Sequence, residues 1–164
     1  MKSDQGVVAK AADPDSRADA IVVSFRSEWY EALRHRRFTS VIRKRVPTRN
    51  KPRWLYFHIN NPMSAICARA DIVAVETIDR AKALSMAKEL ALSEKEIRDY
   101  LGQRETVGCY GLGTIQFPAK EVSARELAVR MQYHAPQSFF VLSKDGKLLL
   151  DELCRWGGVE PRGS

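Results

Sequence analysis

A chain of 164 residues with 45% hydrophobic content is sized for one ordinary core and is too short for two comfortable domains. Its 27 Lys and Arg against 20 Asp and Glu leave a formal net charge of +7. No apolar run approaches the ~18 residues that a membrane-spanning helix needs, so no membrane partner is expected.

The N-terminal stretch 1–18 is polar and Ala/Asp-rich with no apolar h-region, which argues against a secretory signal. It is expected to form a disordered polar tail, followed by a single domain over 19–156 and a flexible Gly/Pro tail over 157–164. Cys67, Cys109 and Cys154 are odd in number, widely spaced and without a CxxC pair, so a disulfide framework is not expected and a reduced, cytoplasmic setting follows. His35, His58 and His134 are equally scattered, and neither a metal site nor a cofactor is expected.

IVVSF (21–25) is β-branched and aromatic and reads as a buried strand. RSEWYEALRHR (26–36) reads as a helix with Ser27 as N-cap and Trp29, Tyr30 and Leu33 on one face. FTSVIRKR (38–45) is a strand candidate that Pro47 ends, because proline cannot donate to a ladder. TRNKPR (48–53) is a loop. WLYFHI (54–59) is apolar on both faces and suits a central strand. The segment 64–78 is a long extended stretch whose patterning slips near Arg69–Asp71, as at a bulge.

Asp79 is placed to cap a helix running to about Leu90. Ser93-Glu94-Lys95-Glu96 forms a capping box, with Gly102 as the C′ residue, and the same grammar recurs at Ser123-Ala124-Arg125-Glu126. TVGCYGLGTIQF (106–117) is a glycine-bearing, curved strand. Residues 137–142 form a further strand. The end reads either as a hairpin on Asp145-Gly146 or as a final helix over 147–155, with the helix favoured. About six short strands, several joined directly, with three to five helices point to an α+β fold: a small mixed β-barrel with helices packed at its ends.

Nine Lys or Arg and no acids lie in RHRRFTSVIRKRVPTRNKPR (34–53). Such a run is either a solvated face or a phosphate-binding stripe, and its single sign favours the second. Phe38, Trp54, Tyr56 and Phe57 flank it; they are either barrel filling or, for Tyr56 above all, a surface on which a base stacks beside phosphate-holding cations. Thr39 and Ser40 within the run are β-filler or phosphate donors. GCYGLG (108–113) opens no helix and lacks the following acidic residue, so it is not a dinucleotide fingerprint. No GxSxG elbow is present.

In order, SFRSEWYEAL (24–33), VIRKRVP (41–47), LYFHINNPMSAICARADI (55–72), ALSEKEIRDYLGQRETVGCYGLG (91–113), FPAKEVSAREL (117–127) and APQSFFVL (135–142) resemble an ASCH domain of the PUA-like barrel superfamily. The resemblance covers about residues 20–142. It implies a β-barrel with a cleft between barrel and helices, and RNA or nucleic-acid binding; some small members are amidohydrolases of acetylated cytidine and others have been described as nucleases. By position the cleft would be lined by Arg26, Arg43, Arg45, Tyr56, Tyr100, Gln137 and Ser138.

The departures from the pattern weigh against hydrolysis. Aligning the Arg of the G-x-K-T-x-T-x-R motif on Arg43 puts the catalytic Lys on Phe38 and the second Thr on Val41, and neither side chain moves protons. Val41 also stands where longer members carry a Glu, and Arg26 replaces an opening Lys. Arginine is a poor base but a bidentate clamp.

The reading is a nucleic-acid-binding module with a basic cleft, for RNA first and DNA second. Arg36, Arg37, Arg43, Lys44, Arg45, Arg49 and Lys51 would hold phosphates, Tyr56 or Tyr100 a base, and Gln137 its edge. The alternatives are an enzyme on RNA or nucleosides, whose general base the sequence leaves open among Glu76, His58 and Lys120, and a regulatory pocket for a small metabolite.

Overall fold

The computed structural model describes residues 17–156; the expected tails at 1–16 and 157–164 lie outside the described residues. The fold is α+β, with a mixed sheet of seven strands and six α-helices among the described residues. Strand β1 (Arg17–Phe25) begins before residue 19, so Arg17 and Ala18 belong to the sheet and not to a tail. It pairs in parallel with β3 (Trp54–Ile59) and antiparallel with β7 (Phe140–Ser143). β3 pairs antiparallel with β4 (Ala65–Asp79), β4 with β5 (Thr106–Gln116), and β5 with β2 (Ser40–Arg43). The order is therefore β2-β5-β4-β3-β1-β7, with the short β6 (Val122–Ser123) pairing β4 off this path.

The expected small mixed β-barrel of about six strands is here a curled sheet of seven strands that does not close. The segment that would fill the seam between β2 and β1 is 44–53, and it carries Pro47 and Pro52, which have no N–H to donate. The curl is nevertheless pronounced. Three strands separate β2 from β1 in the sheet order, which in a flat sheet would set them ~19 Å apart at ~4.8 Å per strand. The Arg43 guanidinium on β2 instead reaches the Ser24 carbonyl of β1 at 3.0 Å.

The alternation of the strands distributes three cores. Val23, Phe25, Leu55 and Phe57 face the interior of the curl with Phe38, Val41, Cys67 and Tyr110. Their neighbours Val22, Tyr56 and Ile66 face the other way, onto Leu127 of helix α5 (Ala124–Met131) and Leu150 and Cys154 of α6 (Lys144–Cys154). Both faces of β3 are thus covered, as its apolar run requires. A third cluster joins Ile42 and Cys109 to Ile97 and Leu101 of α4 (Glu94–Leu101). All three cysteines are buried and unpaired.

The helix starts follow the capping grammar in part. Ser93 and Glu96 form the reciprocal capping box, with bonds of 3.0 and 2.9 Å. Asp79 accepts from the Lys82 amide at 2.8 Å, Ser123 from Glu126 at 3.1 Å and Ser143 from Gly146 at 2.9 Å. The last of these resolves the C-terminal alternative in favour of the helix. The helix expected from Asp79 to Leu90 is broken at Met86 into α2 (Arg80–Ser85) and α3 (Ala87–Leu90). Ser27 caps nothing; it opens a 3-10 turn (Ser27–Trp29) that leads into α1 (Tyr30–Arg34). The pattern slip near Arg69–Asp71 is a register shift of β4 against β5 between Ala70 and Ile72, with another between Ile72 and Ala74.

The far flank of β3 and β4 is clamped by α6. The Tyr56 hydroxyl donates to Asp151 at 2.5 Å, and Arg69 reaches the same carboxylate at 3.2 Å and Gln116 at 2.8 Å. The Arg69 guanidinium lies between the Trp54 and Trp156 rings, 4.4 and 4.9 Å from their centroids. Among the described residues, no helix is long and apolar enough to cross a membrane.

Gly108 on β5 is where the chain leaving β2 crosses closest: a Cβ built there would lie 2.5 Å from a Val46 methyl and 2.9 Å from the Arg43 carbonyl. Gly108→Ala is expected to destabilise the fold by ~1–3 kcal/mol through overpacking, measured by denaturant unfolding at constant m-value. His58 is 1% exposed, with Nδ1 2.9 Å from the Tyr133 hydroxyl, and burial lowers its pKa. The folded state therefore resists protonation. The stability this contributes is present above the ordinary His pKa of ~6.5 and declines as pH falls below it, at up to ~1.4 kcal/mol per pH unit. Unfolding curves at stepped pH should show that acid limb, and His58→Gln should remove its share of it.

Candidate functional site

The open seam leaves a cleft of about 980 Å³ at the end where β1 and β2 approach each other. Ser24, Arg26, Ile42 and Arg43 supply the strand side. Trp29 and Ala32 come from the 3-10 turn and α1, Leu92, Glu96, Asp99 and Tyr100 from the α4 side, and Asn60, Pro136 and Gln137 from loops. The apolar backing is firm, because Trp29 packs edge-on against Phe38 at 5.5 Å and Phe38 is itself buried in the interior of the curl. A smaller recess of about 30 Å³ continues behind it between Trp29, Phe38, Arg43 and Leu92.

The lining holds two arginines and three carboxylates. It is mixed in sign, which departs from the expected basic cleft. The carboxylates are engaged locally. Glu28 pairs with Arg26 at 2.8 Å, Glu96 accepts from the Ser93 amide, and Asp99 pairs with Lys95 at 2.9 Å. Arg43 differs from them. Its Nη1 donates to the Ile42 carbonyl at 2.7 Å and its Nη2 to the Ser24 carbonyl at 3.0 Å, while its guanidinium sits 4.4 Å from the Phe25 ring centroid. Among the described residues no carboxylate pairs with it. Burial lowers its pKa, partly offset by the Tyr100 and Tyr110 hydroxyls; a guanidinium stays protonated regardless. Two of its five N–H groups are committed to backbone, which orients the rest.

Two hydroxyls among the described residues are buried without a hydrogen-bond partner: Ser24 Oγ, on a residue of the cleft lining, and Tyr110 Oη, on a residue outside that lining. Burial pushes the Tyr110 phenol well above its ordinary pKa, with Arg43 acting in the opposite direction, so it is a neutral donor. Tyr100 accepts from the Lys44 amide at 3.1 Å, and the Lys44 ammonium lies 5.0 Å from its ring centroid. Its own hydroxyl proton is left to point elsewhere. The cleft therefore offers one oriented cation, the Tyr100 hydroxyl and an indole wall.

Of the residues that the sequence singles out, Arg26, Arg43, Tyr100 and Gln137 line the cleft. Lys44 sits at its rim on Tyr100, and Arg45 follows it, exposed. Arg49 and Lys51 line a different cavity of about 480 Å³, against Ile21, Phe139 and Val141. Arg36 is directed to the Ile115 carbonyl at 3.2 Å and to the Phe117 ring, and Arg37 is exposed and lines neither cavity. Ser138 is half-buried between Gln137 of one cavity and Phe139 of the other. Tyr56 is fully buried on the opposite face of β3, bonded to Asp151, and is outside the cleft. The other proposed stacking residue, Tyr100, has Lys44 over its ring, which leaves Trp29 as the cleft's accessible aromatic wall.

Ser24, Trp29, Asn60 and Pro136 are cleft residues that sequence reasoning passed over. A hydroxyl interrupting the apolar run IVVSF was the one available sign of Ser24. Among the described residues, no group of three or more His, Cys, Asp or Glu is placed to hold a metal ion.

Solved structures share this architecture. The ASCH protein from Zymomonas mobilis superposes with a TM-score of 0.73 at 23% identity, over 87% of this chain and 99% of that one. Two mutant forms of the same protein also superpose with a TM-score of 0.73. A hypothetical protein from Leishmania major follows at a TM-score of 0.54 and 11% identity, over 86% of this chain and 97% of that one. The likeness is one of fold. No protein-family model and no curated protein matches the sequence.

Because Arg43 ties the seam, Arg43→Met should cost ~1–3 kcal/mol by leaving the Ser24 carbonyl without its donor. Arg43→Lys, one donor group in place of a fork, should recover only part of that loss. Thermal and denaturant unfolding of both variants test the order.

Proposed function

We propose that this chain, which has the ASCH-domain fold, is an RNA-binding module that takes an unpaired base into the cleft between its curled sheet and its helices. The observation that carries this reading is Arg43: a cation at the cleft floor, held in one orientation by two backbone carbonyls, with no carboxylate partner among the described residues. Its remaining N–H groups suit the acceptor edge of a base or a phosphate oxygen. The polar side chains of Tyr100, Asn60 and Gln137 in the same lining favour a ligand rich in polar atoms over an apolar one.

The Trp29 wall supplies a face for stacking, and Gln137 offers both an acceptor and donors to a base edge. Lys44 on the Tyr100 ring, with the exposed Arg45 next in the chain, would meet the sugar-phosphate backbone of a bound strand. The mixed sign of the lining does not oppose this arrangement, since a base is neutral and the cations it leaves for the phosphates lie outside. The carboxylates of the lining are committed to Arg26, to a helix cap and to Lys95, so the reading is recognition and not hydrolysis.

Fluorescence anisotropy of a labelled single-stranded RNA across 50–300 mM salt tests it. Contacts from Arg43, Lys44 and Arg45 should contribute about −2 to the log–log slope, at ~0.7 per phosphate contact. Arg43→Met should weaken binding more than tenfold at a temperature where both proteins are folded. Affinity indifferent both to salt and to this substitution would sink the reading. Cleavage of the RNA, or release of acetate from acetylcytidine, would turn it toward the enzyme alternative.

A further inference from the structure

The cleft and the 480 Å³ cavity are lined by the same two chain segments. One runs from the end of β2 into the loop after it: Arg43 lines the cleft, and 47–52 line the second cavity. The other is the loop leading into β7 together with that strand: Pro136 and Gln137 line the cleft, and Phe139 and Val141 line the second cavity. Gln137 and Phe139 are two residues apart, at most ~7 Å of extended chain. The two hollows are thus neighbours along the open seam.

We infer that together they form one track that binds consecutive nucleotides of a single strand, with the second cavity holding the nucleotide next to the one in the cleft. This rests on the cleft reading above and adds to it a direction and a minimum length. The second cavity has what an adjoining nucleotide needs. Arg49 and Lys51 are exposed on its loop wall and are placed to meet a phosphate. Phe139, half-buried, with Ile21 and Val141 behind it, gives an apolar floor that a base or ribose can cover. The carboxylate of its lining, Asp19, lies 4.0 Å from Arg53, so its charge is answered before any ligand arrives.

The division of labour also accounts for the split of the basic run. Residues 43–45 serve the cleft and residues 49 and 51 serve the step beyond it. A ligand confined to the cleft would leave Arg49 and Lys51 without a role; an extended strand engages both groups. A duplex is a poor occupant, because its bases are stacked on one another and cannot enter two separate hollows.

The test compares uridine monophosphate with tetrauridylate on three proteins: the unaltered chain, Arg49→Ala/Lys51→Ala, and Arg43→Met. For the unaltered chain the tetranucleotide should bind at least about tenfold tighter than the mononucleotide, from two added phosphate contacts. The loop double variant should lose most of that ratio and shallow the tetranucleotide's salt slope by about 1.4. Circular dichroism melts check that it is folded. If the double variant keeps the full ratio while Arg43→Met weakens both ligands, the track is overturned and the cleft reading stands. Equal affinity of the two ligands for the unaltered chain overturns the track in the same way. If neither ligand binds the unaltered chain, the cleft reading fails as well.

Discussion

One guanidinium joins β2, at the edge of the curled sheet, to β1. β2 and β1 never exchange backbone hydrogen bonds, and the space between them is crossed by Arg43, which spans from its own strand to the Ser24 carbonyl. The side chain is suited to that position because a planar fork can donate to two carbonyls and still rest a face on Phe25. Taking a charge partly out of water without an opposite charge is costly. That cost is tolerated here because carbonyl dipoles and an aromatic face surround the cation. The same cation is then held ready, at a fixed angle, in the wall of a cleft. Closing the seam and building the site are one event in this fold.

The curl also decides what becomes of the basic run. In the linear chain, residues 34–53 form one block of positive charge. In space, the run starts at the end of α1, passes up β2 and leaves by a proline-bounded loop. Its members consequently face the Phe117 ring, the cleft and the second cavity in turn. The acids that sit opposite Arg26 and Arg43 come from the 3-10 turn and from α4, so the local balance at the cleft is quite unlike that of the run.

How much of this could be read beforehand depended on the range of the interactions involved. Caps and strand patterns are local: Asp79, Ser93 and Ser123 bond the amides that their spacing implies, and β3 is apolar on both faces because both faces are covered. The break at Met86 and the idle Ser27 are also local, but tertiary packing overrides the propensity there. Long-range facts were out of reach. Tyr56 looked like a ring beside a cationic strand, yet it lies on the far face of β3, where its hydroxyl meets Asp151, a residue 95 positions away. Whether the sheet closed depended on the course of segment 44–53, where Pro47 and Pro52 mark the end of a strand but not the gap beside it. Of the cleft, Arg26, Arg43, Tyr100 and Gln137 were legible through the family resemblance, whereas Trp29 and Ser24 became visible only when the turn and the seam were seen together.

The packing around Arg69 has an optical consequence. Of the chain's three tryptophans, two flank that guanidinium, one on β3 and one two residues beyond α6, and the third forms the wall of the cleft. Intrinsic emission from this protein is therefore a sum of two independent signals. One indole pair senses whether the last helix is docked, and the remaining indole senses the occupant of the seam, so replacing Trp29 alone would separate the two by subtraction.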